Sequence, residues 1–212
     1  VWSAMGGTAS LVKGMAKLIE GQGGQFRFNS EVQRIDVVNG RATGVTLKNG
    51  SQLHADVVIS NADAAWTYRH LIEPEHRTRW TDRKLEKAAY SNGLFVWYFG
   101  TDRQYEDVAH HSILLGPRYE GLLDDIFKRK HMSADFSLYL HRPTATDSSL
   151  APPGCDTFYA LVPVPHLDAQ VNWAAQAEAF RQEIAARLES TVLPNLNQHV
   201  VTSRLLTPLD FQ

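Results

Sequence analysis

Leu11, Met15, Leu18 and Ile19 recur at helical spacing behind Gly6-Gly7-Thr8. The pattern predicts a helix capped by Thr8 or Ser10 and closed by Gly21, Gly23 and Gly24. The period then shortens. Phe26 and Phe28 alternate with polar neighbours, and Val32, Ile35 and Val37 form a second short run. Asn39-Gly40 and Asn49-Gly50 are hairpin signals that bracket a strand over 43–47, and residues 53–59 supply another. A helix followed by a small meander is the expected layout of this segment.

After Asn61-Ala62-Asp63 the pattern is helical through Trp66 and Leu71 to Leu85, punctuated by Pro74. Residues 94–99 form a strand that is apolar on both faces, and a helix is expected over 119–129, where Leu122, Leu123, Ile126 and Phe127 share one face. Strands over 135–141 and 157–164 flank a loop rich in Ser, Thr and Pro. Phe180, Ile184 and Leu188 mark an amphipathic helix ending before Pro194, and 200–206 reads as a last strand. The fold class is therefore mixed α/β, without internal repeats.

Composition narrows the partners. With 21 basic and 23 acidic residues interspersed along 212, the net charge is −2, which argues against nucleic acid because phosphate binding needs a concentrated basic face. The single Cys155 cannot form an internal disulfide, in keeping with a reducing compartment. No apolar run approaches the roughly 20 residues that span a bilayer. Because the chain starts Val1-Trp2-Ser3 and stops at Asp210-Phe211-Gln212 in strand-like sequence, an internal fragment of a longer protein is expected.

Four features invite a chemical reading. Gly21-Gln22-Gly23-Gly24 follows a helix and opens a strand, the reverse of a dinucleotide loop, so a helix end is the better account. His110 and His111, at adjacent positions of a strand, cannot both face one metal, and His131, His141 and His166 look scattered, so no metal is expected. Asp147, Ser148 and Ser149 near His141 lack the nucleophile elbow of a hydrolase. Phe95, Trp97 and Phe99 would present three large rings on one face if Leu94, Val96 and Tyr98 face the core. Tyr139, Tyr159 and Leu161 could extend that surface into an apolar-ligand tunnel. A sheet buried on both sides by helices is the competing explanation.

The first segment resembles the amine-oxidase-like flavoproteins, through Gly6-Gly7-Thr8, Leu11, Leu18, Gly24, Glu31-Val32, Ile35, Gly44-Val45, Asp56-Val57-Val58 and Ser60-Asn61-Ala62-Asp63. The remainder is similar to the bacterial-type phytoene desaturases. Ser91-Asn92-Gly93-Leu94-Phe95-Val96, Ala109-His110-His111, Gly116-Pro117-Arg118-Tyr119, Asp135-Phe136-Ser137-Leu138-Tyr139-Leu140-His141 and Pro163-Val164-Pro165-His166-Leu167 carry that likeness.

The resemblance implies FAD as cofactor, held mainly by an N-terminal Gly-rich loop and a C-terminal segment that this chain lacks. It implies a partial FAD-binding domain over 1–65 and, over 66–212, a substrate domain built on a mixed β-sheet covered by helices. Val32, Asn61 and Ala62 are carried over as cofactor contacts. Phe95, Trp97, Phe99, Tyr139, His141 and Tyr159 are expected to bind substrate, and no catalytic acid or base is assigned. Phytoene as substrate and a cytoplasmic, peripheral-membrane location follow from the same likeness. Related carotenoid or retinoid flavoproteins (isomerase, ketolase-type oxidase, saturase) and a non-catalytic apolar-ligand module remain the alternatives.

Overall fold

A computed structural model describes residues 3–211. The chain divides into two compact units, one of residues 19–89 and one joining the residues up to Leu18 with those from Tyr90 onward. Helix α1 (Thr8–Gly21) has an apolar stripe but buries none of its side chains. It ends as expected. Gly23 adopts φ 84°, and the amides of Gly23 and Gly24 donate to the carbonyls of Glu20 and Ile19. That pair of bonds defines a glycine-terminated helix end.

The unit of residues 19–89 is built on an antiparallel meander of β1 (Val32–Val38), β2 (Arg41–Leu47) and β3 (Gln52–His54). Asn39 and Gly40 both take positive φ, the geometry that turns β1 tightly into β2. One expected strand does not form and another is cut short. Phe26 and Phe28 stack on each other outside any ladder, and the last expected strand stops at His54, leaving Val57 and Ile59 exposed. Alternation supplies side-chain parity, but a strand also needs a neighbouring backbone to pair with, and none lies alongside among the described residues. Short helices α2 (Ala64–Trp66) and α3 (Asp82–Glu86) follow.

The other unit carries a five-stranded sheet ordered β5-β6-β7-β4-β8. Its strands are β4 (Gly93–Thr101), β5 (His111–Leu114), β6 (Leu138–His141), β7 (Asp156–Val164) and β8 (Val200–Leu206). The fold is mixed helix and sheet as expected, while the sheet itself is antiparallel at every pairing rather than mixed. Helix α4 (Tyr119–Asp124) runs on through a wider turn to Arg129. Leu122 and Ile126 are buried whereas Leu123 and Phe127 face outward, so the four apolar side chains expected on one face are split between two.

Helix α5 (Trp173–Thr191), followed by α6 (Leu196–His199), belongs to the main core. Phe95 packs on Trp173 and Phe180 with ring centroids 5.8 and 5.0 Å apart, and Trp97 stacks on Phe99 at 4.2 Å. Phe95 and Trp97 are 0% exposed. The ring-bearing side of β4 is thus the core side, and Phe95 and Trp97 are enclosed there, while Phe99 is buried beside a small surface cavity. The competing explanation, burial against a helix, holds for this side of the sheet.

Candidate functional site

The opposite side of the same sheet is open. Because side chains alternate along a strand and register partners share a face, the pairings define its residues. One row crosses all five strands as Arg204, Tyr98, Tyr159, His141 and His111. The next reads Leu206, Val96, Leu161, Tyr139 and Ile113. Tyr139, Tyr159 and Leu161 therefore lie on the face opposite Phe95, Trp97 and Phe99, and cannot extend their surface. Tyr98, expected inside, is 43% exposed.

The rings of this face touch in series. Tyr98 and Tyr159 are 5.5 Å apart, Tyr159 and Tyr139 5.6 Å, His141 and Tyr159 4.7 Å, and His111 and Tyr139 5.9 Å. Burial, helped by the hydrogen bond to Tyr139, pushes the Tyr159 phenol up to about 12. Burial, with smaller contributions from His110 and His111, pushes His141 down to about 4. Near neutral pH both side chains are uncharged, so the centre of the face is an aromatic floor without net charge. At about 4.8 Å per strand, five strands make it roughly 19 Å wide.

Of the histidines expected to be scattered, His141 is not: it gathers with His110 and His111, while His131 and His166 lie by Asp125 and Asp168. His110 lies just before β5, not within it, so strand alternation does not hold its ring away from its neighbour. The rings of His110 and His111 are 4.4 Å apart, and His110 Nε2 lies 2.8 Å from His141 Nε2. Nδ1 of His110 bonds to Thr146 Oγ1 at 2.5 Å and Nδ1 of His111 to the Tyr139 hydroxyl at 2.6 Å. Desolvation, then the neighbouring His111, also lowers the pKa of His110.

No hydrolase triad assembles among the described residues. The Asp147 carboxylate accepts from the Ser149 hydroxyl and amide and from the Gly6 amide, which makes it the cap of a short turn. His141 meets neither requirement of a triad, since its Nε2 is engaged by His110 and not by a serine, and its Nδ1 has no carboxylate partner among the described residues.

The expected cofactor contacts belong to the unit of residues 19–89. Val32 opens β1 half-buried; Asn61 and Ala62 are exposed ahead of α2, whose first turn Asp63 caps by accepting from the Trp66 amide at 2.9 Å. A polar cleft of about 470 Å³ lined by Arg41, Thr43, His54 and Asp56 includes none of the three. The amides of Gly23 and Gly24 are spent on the helix end, so this glycine cluster offers no phosphate cradle. The stretch up to Ala62 is exposed and outside any ladder, while Val32 pairs with Leu47 in the meander.

Residues 1–177 match the family described as flavin containing amine oxidoreductase. The chain is 49% identical over 214 residues to phytoene desaturase (neurosporene-forming) of Cereibacter sphaeroides, covering 99% of the chain and 41% of that protein. It is 47% identical over 212 residues to phytoene desaturase (lycopene-forming) of a Paracoccus species, covering 100% of the chain and 42% of that protein. The chain thus spans about two fifths of the length of these relatives. Among solved structures, an oxidoreductase from Methanosarcina mazei superposes with a TM-score of 0.67 at 20% identity over 96% of this chain and 43% of that one, a likeness of fold. With most of its length matched, the chain belongs to the flavin-containing amine oxidoreductase family.

Proposed function

We propose that the chain is part of a FAD-dependent desaturase acting on phytoene or a related carotene in carotenoid biosynthesis. The observation that carries this reading is the near-complete alignment of the chain, at 47–49% identity, with proteins named phytoene desaturase. The open aromatic face supports it physically. A carotene hydrocarbon has no hydrogen-bonding groups, so it must be recognised by shape and apolar area, at roughly 25 cal/mol per Å² removed from water. The rings of Tyr98, Tyr139, Tyr159 and His141 give such a substrate a continuous surface to lie on.

Desaturation removes a hydride and a proton from adjacent carbons, and a bound flavin supplies the hydride acceptor that no side chain can be. The share of this chain is positioning. Tyr98, Tyr139, Tyr159 and His141 hold the polyene in a fixed orientation, which lowers the entropic part of the barrier. Val32, Asn61 and Ala62 contribute contacts to the cofactor. Among the described residues no helix is long and apolar enough to cross a membrane. Access to a lipid-dissolved substrate is assigned instead to the exposed stripe Tyr119, Leu123 and Phe127, spaced four residues apart on α4 and its continuation.

Expression of the full-length protein in a phytoene-accumulating host tests the reading. Conversion to more unsaturated carotenes, with flavin copurifying, is expected; a saturated, oxygenated or merely isomerised product would overturn it. Tyr159→Ala and Tyr98→Ala should each weaken substrate capture about tenfold, equivalent to about 1.4 kcal/mol, with flavin content unchanged.

A further inference from the structure

We propose that His110, His111 and His141 form a binding site for one divalent transition-metal ion, of which Zn²⁺ is the representative. Each ring offers one nitrogen, and these atoms all lie within 4.8 Å of one another. Among the described residues no carboxylate or thiolate joins the group. Three imidazoles without oxygen donors select Zn²⁺, Co²⁺, Ni²⁺ or Cu²⁺ over Mg²⁺ or Ca²⁺, and three protein ligands leave a fourth position for water.

The surroundings orient the rings as ligands. In His110 and His111 Nδ1 is already taken, by the hydroxyls of Thr146 and Tyr139. A histidine whose Nδ1–H donates to an outer oxygen carries its free lone pair on Nε2, and such outer partners fix ring direction in metal sites generally. In His141 Nδ1 is buried with no hydrogen-bond partner among the described residues, and it is Nε2 that faces His110. His110 Nε2 and His141 Nε2 face each other at 2.8 Å, a hydrogen bond in which one of the two carries the proton, and an ion would replace that bond once the proton moves to the other nitrogen of its ring. Tetrahedral coordination with bonds of about 2.0–2.1 Å sets nitrogens roughly 3.3–3.4 Å apart. One contact must open by about half an ångström and the wider ones close, movements within reach of small side-chain rotations.

The site joins two strands. His111 opens the edge strand β5, His110 precedes it, and His141 is the register partner of His111 on β6. His111 is exposed, so an ion reaches the cluster from solvent. A bound ion would fasten β5 to the sheet at the end of the aromatic face. The site needs neither flavin nor substrate to form, and it shares His141 with the aromatic face.

The test uses the full-length protein stripped with a chelator and titrated with Co²⁺, whose visible absorption reports tetrahedral nitrogen ligation. One Co²⁺ per chain is expected, displaced by Zn²⁺, with Zn²⁺ raising the unfolding temperature. His141→Ala should abolish both effects, and His111→Gln, at an exposed edge position, should weaken binding at least tenfold even if His141→Ala fails to fold. Absence of a Co²⁺ band, or binding unaltered in His111→Gln, would overturn the site.

Discussion

Asp156, at the start of β7, is buried and accepts hydrogen bonds from Arg142 Nε at 2.9 Å, Thr144 Oγ1 at 2.6 Å and the Tyr105 amide at 2.8 Å. Arg142 also donates to the carbonyls of Glu106 and Val108, so one ion pair ties two loops to the sheet. Removing one partner leaves an uncompensated buried charge. Asp156→Ala should cost about 3–5 kcal/mol, read as a lowered denaturant midpoint. Gly116 makes the opposite kind of demand. A Cβ there would lie 2.2 Å from the Asp135 carbonyl oxygen, a backbone atom that cannot rotate away. Trp97 distinguishes packing from binding: with its indole 0% exposed and its N–H donating to Ser203 Oγ, Trp97→Ala should lose about 3–5 kcal/mol of stability. If that variant instead kept its stability and altered only the product pattern, the core assignment of β4 would fail.

At the scale of elements, the segment 118–135 is held by charge. Arg118 donates to Asp125 at 3.1 Å and to Asp135 at 2.7 Å, and Arg129 reaches Asp125 at 2.9 Å. For Asp125 burial opposes ionisation, but Arg118, His131 and Arg129 outweigh it; for Asp135 the Ser133 hydroxyl and then Arg118 lower the pKa. Both folded values lie below the ordinary 3.8. Their contribution to stability is present above that value and is lost as pH falls through the folded values. Unfolding temperature followed from about pH 5 to about pH 2 should fall more steeply in the parent than in Arg118→Ala. The same helix exposes Tyr119, Leu123 and Phe127. Phe127→Asp should reduce cosedimentation with phospholipid vesicles about tenfold while leaving the buried Leu122 and Ile126 in place. Equal sedimentation of variant and parent would remove the stripe from the docking role.

At the scale of the whole chain, legibility depended on the range of the interactions involved. Helix α1 and its glycine end, the Asn39-Gly40 turn and the α5 stripe of Phe180, Ile184 and Leu188 are set by neighbours within a few residues, and each formed as the pattern predicts. The residues 94–99 read as a strand for the same reason. Phe26, Phe28, Val57 and Ile59 carry strand-like alternation yet remain unpaired and exposed, because pairing is a property of two segments and not of one.

What the amino-acid sequence by itself determined is which residues share parity: Phe95 with Trp97 and Phe99, Tyr139 with His141. Which parity points at helix α5 was decided by register, since pairing Tyr98 with Tyr159 and Trp97 with Ala160 commits every ring on both strands at once. The histidine cluster likewise required the tertiary structure. It brings His110 and His141, 31 positions apart, to a 2.8 Å contact through the turn before β5 and the pairing of β5 with β6. Local spacing carries no information about a distance closed by two other segments of chain.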